Sequence, residues 1–166
     1  METAGHKLKI YCETSFWSYL TARPSSNPEN AIRQSFSLRW MECIAPQCEI
    51  FVSDLVFAEA QDGDEVAVRR RLSEITRHKF VSFNKDAVRR LAERLKVEHK
   101  VFAKEVTDAA HIAISAISCM DVLLTWNCKH MANIVELPKT VSIVTKAGYD
   151  CPLIITPQDF LEKYHG

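Results

Sequence analysis

The stretch KIYCETS, Lys9 to Ser15, runs three apolar residues straight into an acid, Glu13. An apolar run this short reads as a buried β-strand, and an acid directly after it is costly unless a partner meets it. The same juncture recurs along the chain. EIFVS, Glu49 to Ser53, leads into DLVFAEA with Glu59, and DVLLTWN, Asp121 to Asn127, ends on an amide. Asp108 opens the helical run TDAAHIAIS. Positions 13, 59, 108 and 127 are separated by 46, 49 and 19 residues. No local motif has that spacing, but a sheet can bring such residues to one edge. A carboxylate cluster there suits a hard divalent cation.

Working outward, apolar runs and helical patterns alternate. Lys7–Cys12 reads as the first strand and 15–20 as a short helix. TARPSSNPEN is a loop punctuated by Pro24 and Pro28. Ile32, Phe36, Trp40 and Ile44 recur every four residues, which predicts an amphipathic helix from about Glu29 that stops before Pro46. Glu49–Ser53 is the second strand, with Asp54 expected to cap a helix that ends at Gly63. Asp64 caps the next helix, to about Lys79. Phe80–Phe83 is the third strand, and Asn84 caps DAVRRLAERLKVE. Thr107–Met120 is a buried helix and Val122–Thr125 the fourth strand. A helical turn is expected around 129–133. Pro138 and Gly148 bracket a segment of strand-like propensity that is assigned as helix on its punctuation. Leu153–Ile155 is the fifth strand, and Thr156-Pro157-Gln158-Asp159 opens a last helix. Strict alternation of this kind implies a three-layer α/β/α sandwich around a central parallel five-stranded sheet.

In such sheets ligands bind at the carboxyl ends of strands, near a switch in strand order. Glu13 and Asn127 fall there. Asp121 lies at the opposite end of the fourth strand, more than ~10 Å away at ~3.3 Å per residue, and is excluded from the site.

Bulk properties set the class. The 166 residues suffice for one domain, 1–166, with a real core, and 47% hydrophobic against 25% charged residues is ordinary for a soluble chain. METAGHKLKI has no apolar leader core, and no apolar run approaches the ~20 residues of a membrane span. The expected location is cytoplasmic, with no membrane partner. The six cysteines form no C-x-x-C pair and read as reduced thiols. Net charge is zero, yet residues 64–104 hold twelve Lys/Arg against six Asp/Glu. That fits both a basic rim around an acidic site and ordinary solvated helix faces.

The motifs Glu13-Thr14-Ser15, Ser53 with Glu59, Asp108-Ala109-Ala110-His111-Ile112-Ala113 and Thr125-Trp126-Asn127 resemble those of the PIN-domain nucleases, and within them the VapC-like toxins of toxin–antitoxin pairs. The resemblance spans the chain, in a variant form with E-T-S and L-L-T-W-N-C-x-H where the usual pattern carries D-T-S and T-x-D. It implies a metal-dependent endoribonuclease using Mg²⁺ or Mn²⁺. Glu13, Glu59 and Asp108 are then the metal ligands, Asn127 a fourth catalytic position, and Ser15 and Thr125 supporting donors. It also implies RNA as substrate, a small antitoxin and a homodimer as partners. Asn127 keeps a carbonyl oxygen but loses a charge, so one ion is better balanced than two. The same substitution motivates an alternative: a catalytically weak fold of this kind acting as an RNA- or protein-binding module. A small phosphorylated ligand is a third reading, disfavoured because neither G-x-G-x-x-G nor a Walker loop occurs. His111 is expected as a hydrogen-bonded core histidine, and His130 at the surface or in packing. Trp17 and Trp126 adjoin the site, where packing is favoured over base stacking.

Overall fold

The computed structural model describes residues 5–164, so residues 1–4 of the leader reading lie outside it. Five parallel strands are ordered β3-β2-β1-β4-β5, with β1 at Lys9–Cys12, β2 at Glu49–Val52, β3 at Lys79–Phe80, β4 at Val122–Leu124 and β5 at Leu153–Ile155. The chain winds one way from β1 to β3, then returns across β1 to β4 and β5, so the switch in strand order falls between β1 and β4. Right-handed crossovers therefore place the helices linking β1, β2 and β3 on one face and those linking β3, β4 and β5 on the other.

On one face α1 (Thr14–Thr21) packs against α2 (Pro28–Cys43) and α4 (Glu65–Ile75), and α2 packs against α8 (Pro157–Tyr164). On the other, α5 (Lys85–Glu98) packs against α6 (Val106–Ile117) and α7 (Leu137–Lys146). The two central strands are covered on both sides, which is why Ile10, Tyr11 and Cys12 and the whole of Val122–Leu124 are buried without alternation. Phe16, Trp17, Trp40 and Phe160 interlock edge to face between α1, α2 and α8.

Local chemistry explains most boundaries. Asn27 accepts from Asn30 N at 3.0 Å and Pro28 starts α2. Asp64 and Asn84 cap α4 and α5 by the same bond. Thr156 accepts from Asp159 N and donates back to its carboxylate, opening α8. The 138–148 segment is indeed helical, with Gly148 at φ +92° just past its end.

Several boundaries correct the sequence reading. Ser53, not Asp54, caps α3 (Asp54–Glu59), accepting from Val56 N at 3.3 Å; Asp54 is the first helical residue. α3 ends at Glu59 itself, well before Gly63. The third strand is two residues, Lys79–Phe80, because only Phe51 and Val52 of β2 offer it partners. Residues 128–132 form turns rather than a helix, tied by Cys128 N to Trp126 O and Ala132 N to Asn127 O. α6 stops at Ile117, and Cys119 takes the left-handed conformation at φ 54°. Ile32, counted on the buried stripe of α2, is 52% exposed.

Candidate functional site

At the switch point the chain leaves β1 through Glu13 and β4 through Thr125-Trp126-Asn127, side by side. Glu13 is 4% exposed and caps α1. Its Oε1 accepts from Ser15 N at 3.0 Å, from the Ser15 hydroxyl, and from Thr125 Oγ1 at 2.8 Å. Ser15 Oγ in turn accepts from Trp126 N, and Thr125 Oγ1 from Asn127 N. The two supporting hydroxyls thus lace β1 to β4 through one carboxylate oxygen.

Asp108 comes from the first turn of α6, which starts at the same rim. Its Oδ2 accepts from Asn127 Nδ2 and lies 2.9 Å from His130 Nδ1. Asn127 Oδ1 accepts from His130 N at 2.9 Å. Both ends of the Asn127 amide are therefore engaged: it orients Asp108 and folds the turn that carries His130.

Glu59, the last residue of α3, is tied to the rim by Thr14 Oγ1 at 2.8 Å and by His111 Nε2. His111 is 1% exposed, and its Nδ1 lies 2.8 Å from Tyr11 Oη, which contacts Ser53 Oγ at 2.8 Å. A relay Ser53–Tyr11–His111–Glu59 runs out of the core to the site. His111 is the hydrogen-bonded core histidine expected, and its partner is a site acid. His130 is more than packing, because it meets Asp108 directly.

The environments push these acids apart. Burial raises the Glu13 carboxyl above its usual range, against the lowering effect of the His111 charge and the Ser15 and Thr125 hydrogen bonds. Burial likewise raises Asp108, opposed by His130 and Asn127 and reinforced by the Glu105 charge. Burial also pushes Glu59 up, but the His111 hydrogen bond and charge, with Thr14, outweigh it and the carboxyl is lowered.

Among the described residues, Glu105, Asp108 and His130 form the one group of three such side chains whose candidate ligand atoms lie within 4.8 Å of one another. Glu13 and Glu59 are not members of it: Glu13 reaches Asp108 through Thr125 and Asn127, and Glu59 is tied to the Asp108 helix through His111. Glu105 was missed in the sequence, although its i, i+3 spacing to Asp108 places it on the same helix face. In Glu13 and Asp108 a single oxygen takes every side-chain bond, so the other oxygen of each carries none among the described residues. Carboxylate oxygens held this way, with an imidazole beside them, fit a divalent cation.

Nearby aromatics are packed. Trp17 is fully buried and donates to Cys12 O; Trp126, 5% exposed, donates to Ser37 Oγ. Asp121 lies at the other rim, where it accepts from Lys9 N. All six cysteines are free. No described helix is long and apolar enough to cross a membrane.

No protein-family model and no curated protein matches the sequence. Two solved structures share its fold. VapC20 of Mycobacterium tuberculosis, described as a sarcin-ricin loop cleaving toxin, superposes with a TM-score of 0.52 at 19% identity, over 69% of this chain and 86% of that one. VapBC2 of Rickettsia felis, solved bound to a DNA fragment from its promoter, gives 0.58 at 12% identity, over 90% and 98%. What the chain shares with both is the α/β/α fold.

Proposed function

We propose that the protein is a metal-dependent endoribonuclease that hydrolyses RNA phosphodiester bonds, and that it is the toxin of a toxin–antitoxin pair. The observation that carries this reading is the meeting of Glu13, Asp108 and Asn127 at the switch point of a VapC-like fold, with one oxygen of each carboxylate held and the other open. Glu13, Glu59 and Asp108 would hold Mg²⁺ or Mn²⁺, with Glu105 and His130 alongside Asp108. A bound divalent ion supplies an electrophile for phosphoryl oxygens and acidifies a water for hydrolysis.

The chain's own residues prepare the rest. Ser15 and Thr125 fix Glu13, His111 and Thr14 fix Glu59, and Asn127 and His130 fix Asp108. No side chain is required as nucleophile. Asn127 acts by orientation in this scheme, since its amide is already spent. A small antitoxin and a second copy of the chain are the partners that accompany the reading.

Cleavage of single-stranded RNA with and without Mn²⁺ or Mg²⁺ tests it. The wild type should cleave only with the ion. Asp108→Asn should lower the rate at least about a hundredfold while circular dichroism stays unchanged. An Asp108→Asn protein that cleaves at the wild-type rate would overturn the assignment. An inert wild type that becomes active on Asn127→Asp would instead support the binding-module alternative, because the amide is the one departure that removes a charge.

A further inference from the structure

Half of the basic segment that looked like a nucleic-acid rim is tied up in ion pairs. Arg69, Arg89, Arg94 and Lys96 each meet a carboxylate on their own helix, Arg77 meets Glu74 at the end of α4, and Lys79 meets Glu49. Arg71 is consumed in structure, donating to Ala60 O, Asp62 O and Ser18 Oγ. A different cation stands against Trp126, between Thr125 and Asn127 in the chain. The crossover from β1 to β2 returns the chain to the amino rim, so α2 begins at the carboxyl rim, and Arg33 lies in its second turn.

The Arg33 guanidinium carbon sits 5.5 Å from the Tyr19 ring centroid and 5.7 Å from that of Trp126. The two rings meet edge to face at 6.1 Å. Arg33 donates to Tyr19 Oη at 3.2 Å and to Glu29 at 2.7 Å. Trp126 stands between Thr125 and Asn127, and its N–H bonds the same Ser15 hydroxyl that holds Glu13. One three-residue segment thus carries the acids' partners on one side and the arginine's shelf on the other. The Arg33 side chain keeps 26% of its exposure, so solvent and ligand reach it, and its Glu29 partner is 73% exposed.

We propose that Arg33 is a phosphate-binding residue that holds the RNA strand beside the acidic site, with Glu29 as the counter-ion the phosphate displaces. This rests on the nuclease reading above. The chemistry is specific. A guanidinium fixed on two ring faces is weakly hydrated and loses little freedom on binding, and its fork matches a phosphate. A rim of carboxylates repels a polyanion, and a cation set into the adjoining turn offsets that repulsion where the strand must enter.

Binding of a fluorescent single-stranded RNA, followed by anisotropy over a series of KCl concentrations, tests the proposal. The parent for the test is Asp108→Asn, so that the RNA stays intact. Adding Arg33→Ala should weaken binding about tenfold and make the log K against log[salt] slope shallower by about 0.7, one phosphate contact on a single strand. Arg33→Lys should keep the slope and lose part of the affinity. Glu29→Gln, which removes only an exposed carboxylate, should tighten binding two- to threefold, and Arg89→Ala should change nothing. Near-ultraviolet circular dichroism of the tryptophans checks that each variant is folded. Unchanged affinity and slope in folded Arg33→Ala, or no tightening in Glu29→Gln, overturns the proposal while wild-type cleavage leaves the nuclease reading standing. A wild type that neither binds nor cleaves RNA removes both.

Discussion

The two rims of this sheet hold similar residues and treat them differently. At the amino rim, Asp121 is exposed and makes a simple bond to Lys9 N. The helices α6 and α7 end there in ordinary closing turns. At the carboxyl rim, Glu13, Asp108 and His111 are buried, and every one is held by other polar side chains. A fold needs no such cluster for its own stability, and burying it costs solvation energy. The contrast marks the carboxyl rim as the place where stability has been given up for chemistry.

The largest effect should come from His111→Ala. The change takes one hydrogen bond from Tyr11 Oη and one from Glu59, leaving them Ser53 and Thr14, and opens a cavity beneath α6. A loss of about 3 kcal/mol in urea denaturation is expected. A loss under about 1 kcal/mol would show that the relay contributes nothing and that the rim is less constrained than its hydrogen bonds suggest.

Glu13→Gln should move stability the other way. The amide keeps an acceptor for Ser15 and Thr125 and removes a buried charge, so a gain of about 1–2 kcal/mol is expected at pH 8 in chelator, with cleavage lost. The pH dependence has a definite sign. The native carboxyl is raised, so the native state binds more protons than the unfolded chain between the ordinary glutamate range and the raised value. Wild-type stability therefore falls as pH rises through that window, and the advantage of the variant should grow from pH 4.5 to pH 8. Glu59 carries the opposite sign: its lowered carboxyl contributes stability above the ordinary range that is lost as pH falls through the native value. Denaturation of wild type, Glu13→Gln and Glu59→Gln at both pH values separates the two.

Much of this contrast could be read before the structure. Short apolar runs between helical periods are local signals, and they gave the parallel sheet, the helix at 138–148 and the caps at Asp64, Asn84 and Thr156. That Glu13 and Asn127 sit past strand ends also follows from the chain. What could not be read is set by long-range geometry. Residues 128–132 carry no breaker, yet Asn127 bends them into turns because its amide is shared between Asp108 and His130. The Arg33 shelf joins α1, α2 and the end of β4, three segments that no local pattern links. Glu105 has a signal in its i, i+3 spacing to Asp108, but it lies outside the D-A-x-x-x-A motif.

At the amino rim, a change of about 1 kcal/mol should come from Cys119→Gly. Two helices close there with the same pair of bonds. In α7, Gly148 N reaches Thr145 O and Tyr149 N reaches Val144 O; in α6, Cys119 N reaches Ala116 O and Met120 N reaches Ser115 O. The left-handed residue is glycine in the first and cysteine in the second, at φ 92° and 54°. A Cβ in that region costs ~1–2 kcal/mol, partly offset by the backbone entropy a glycine loses. Cys119→Gly should therefore raise stability by roughly 0.5–1 kcal/mol without altering cleavage.

The smallest effect is the sharpest test of the contrast, because Asp121→Asn repeats at the amino rim the acid-to-amide change of Glu13→Gln. Its carboxylate is exposed and bonds one backbone N–H, which an amide oxygen accepts equally well. With no buried charge to relieve, stability should stay within about 0.5 kcal/mol and RNA cleavage should be unchanged. If Asp121→Asn stabilised the protein as much as Glu13→Gln, the gain would reflect overall charge rather than burial, and the asymmetry between the rims would lose its meaning. If it lowered cleavage, the site would extend through the sheet to its amino end, against the geometry that places the acids at the switch point between β1 and β4.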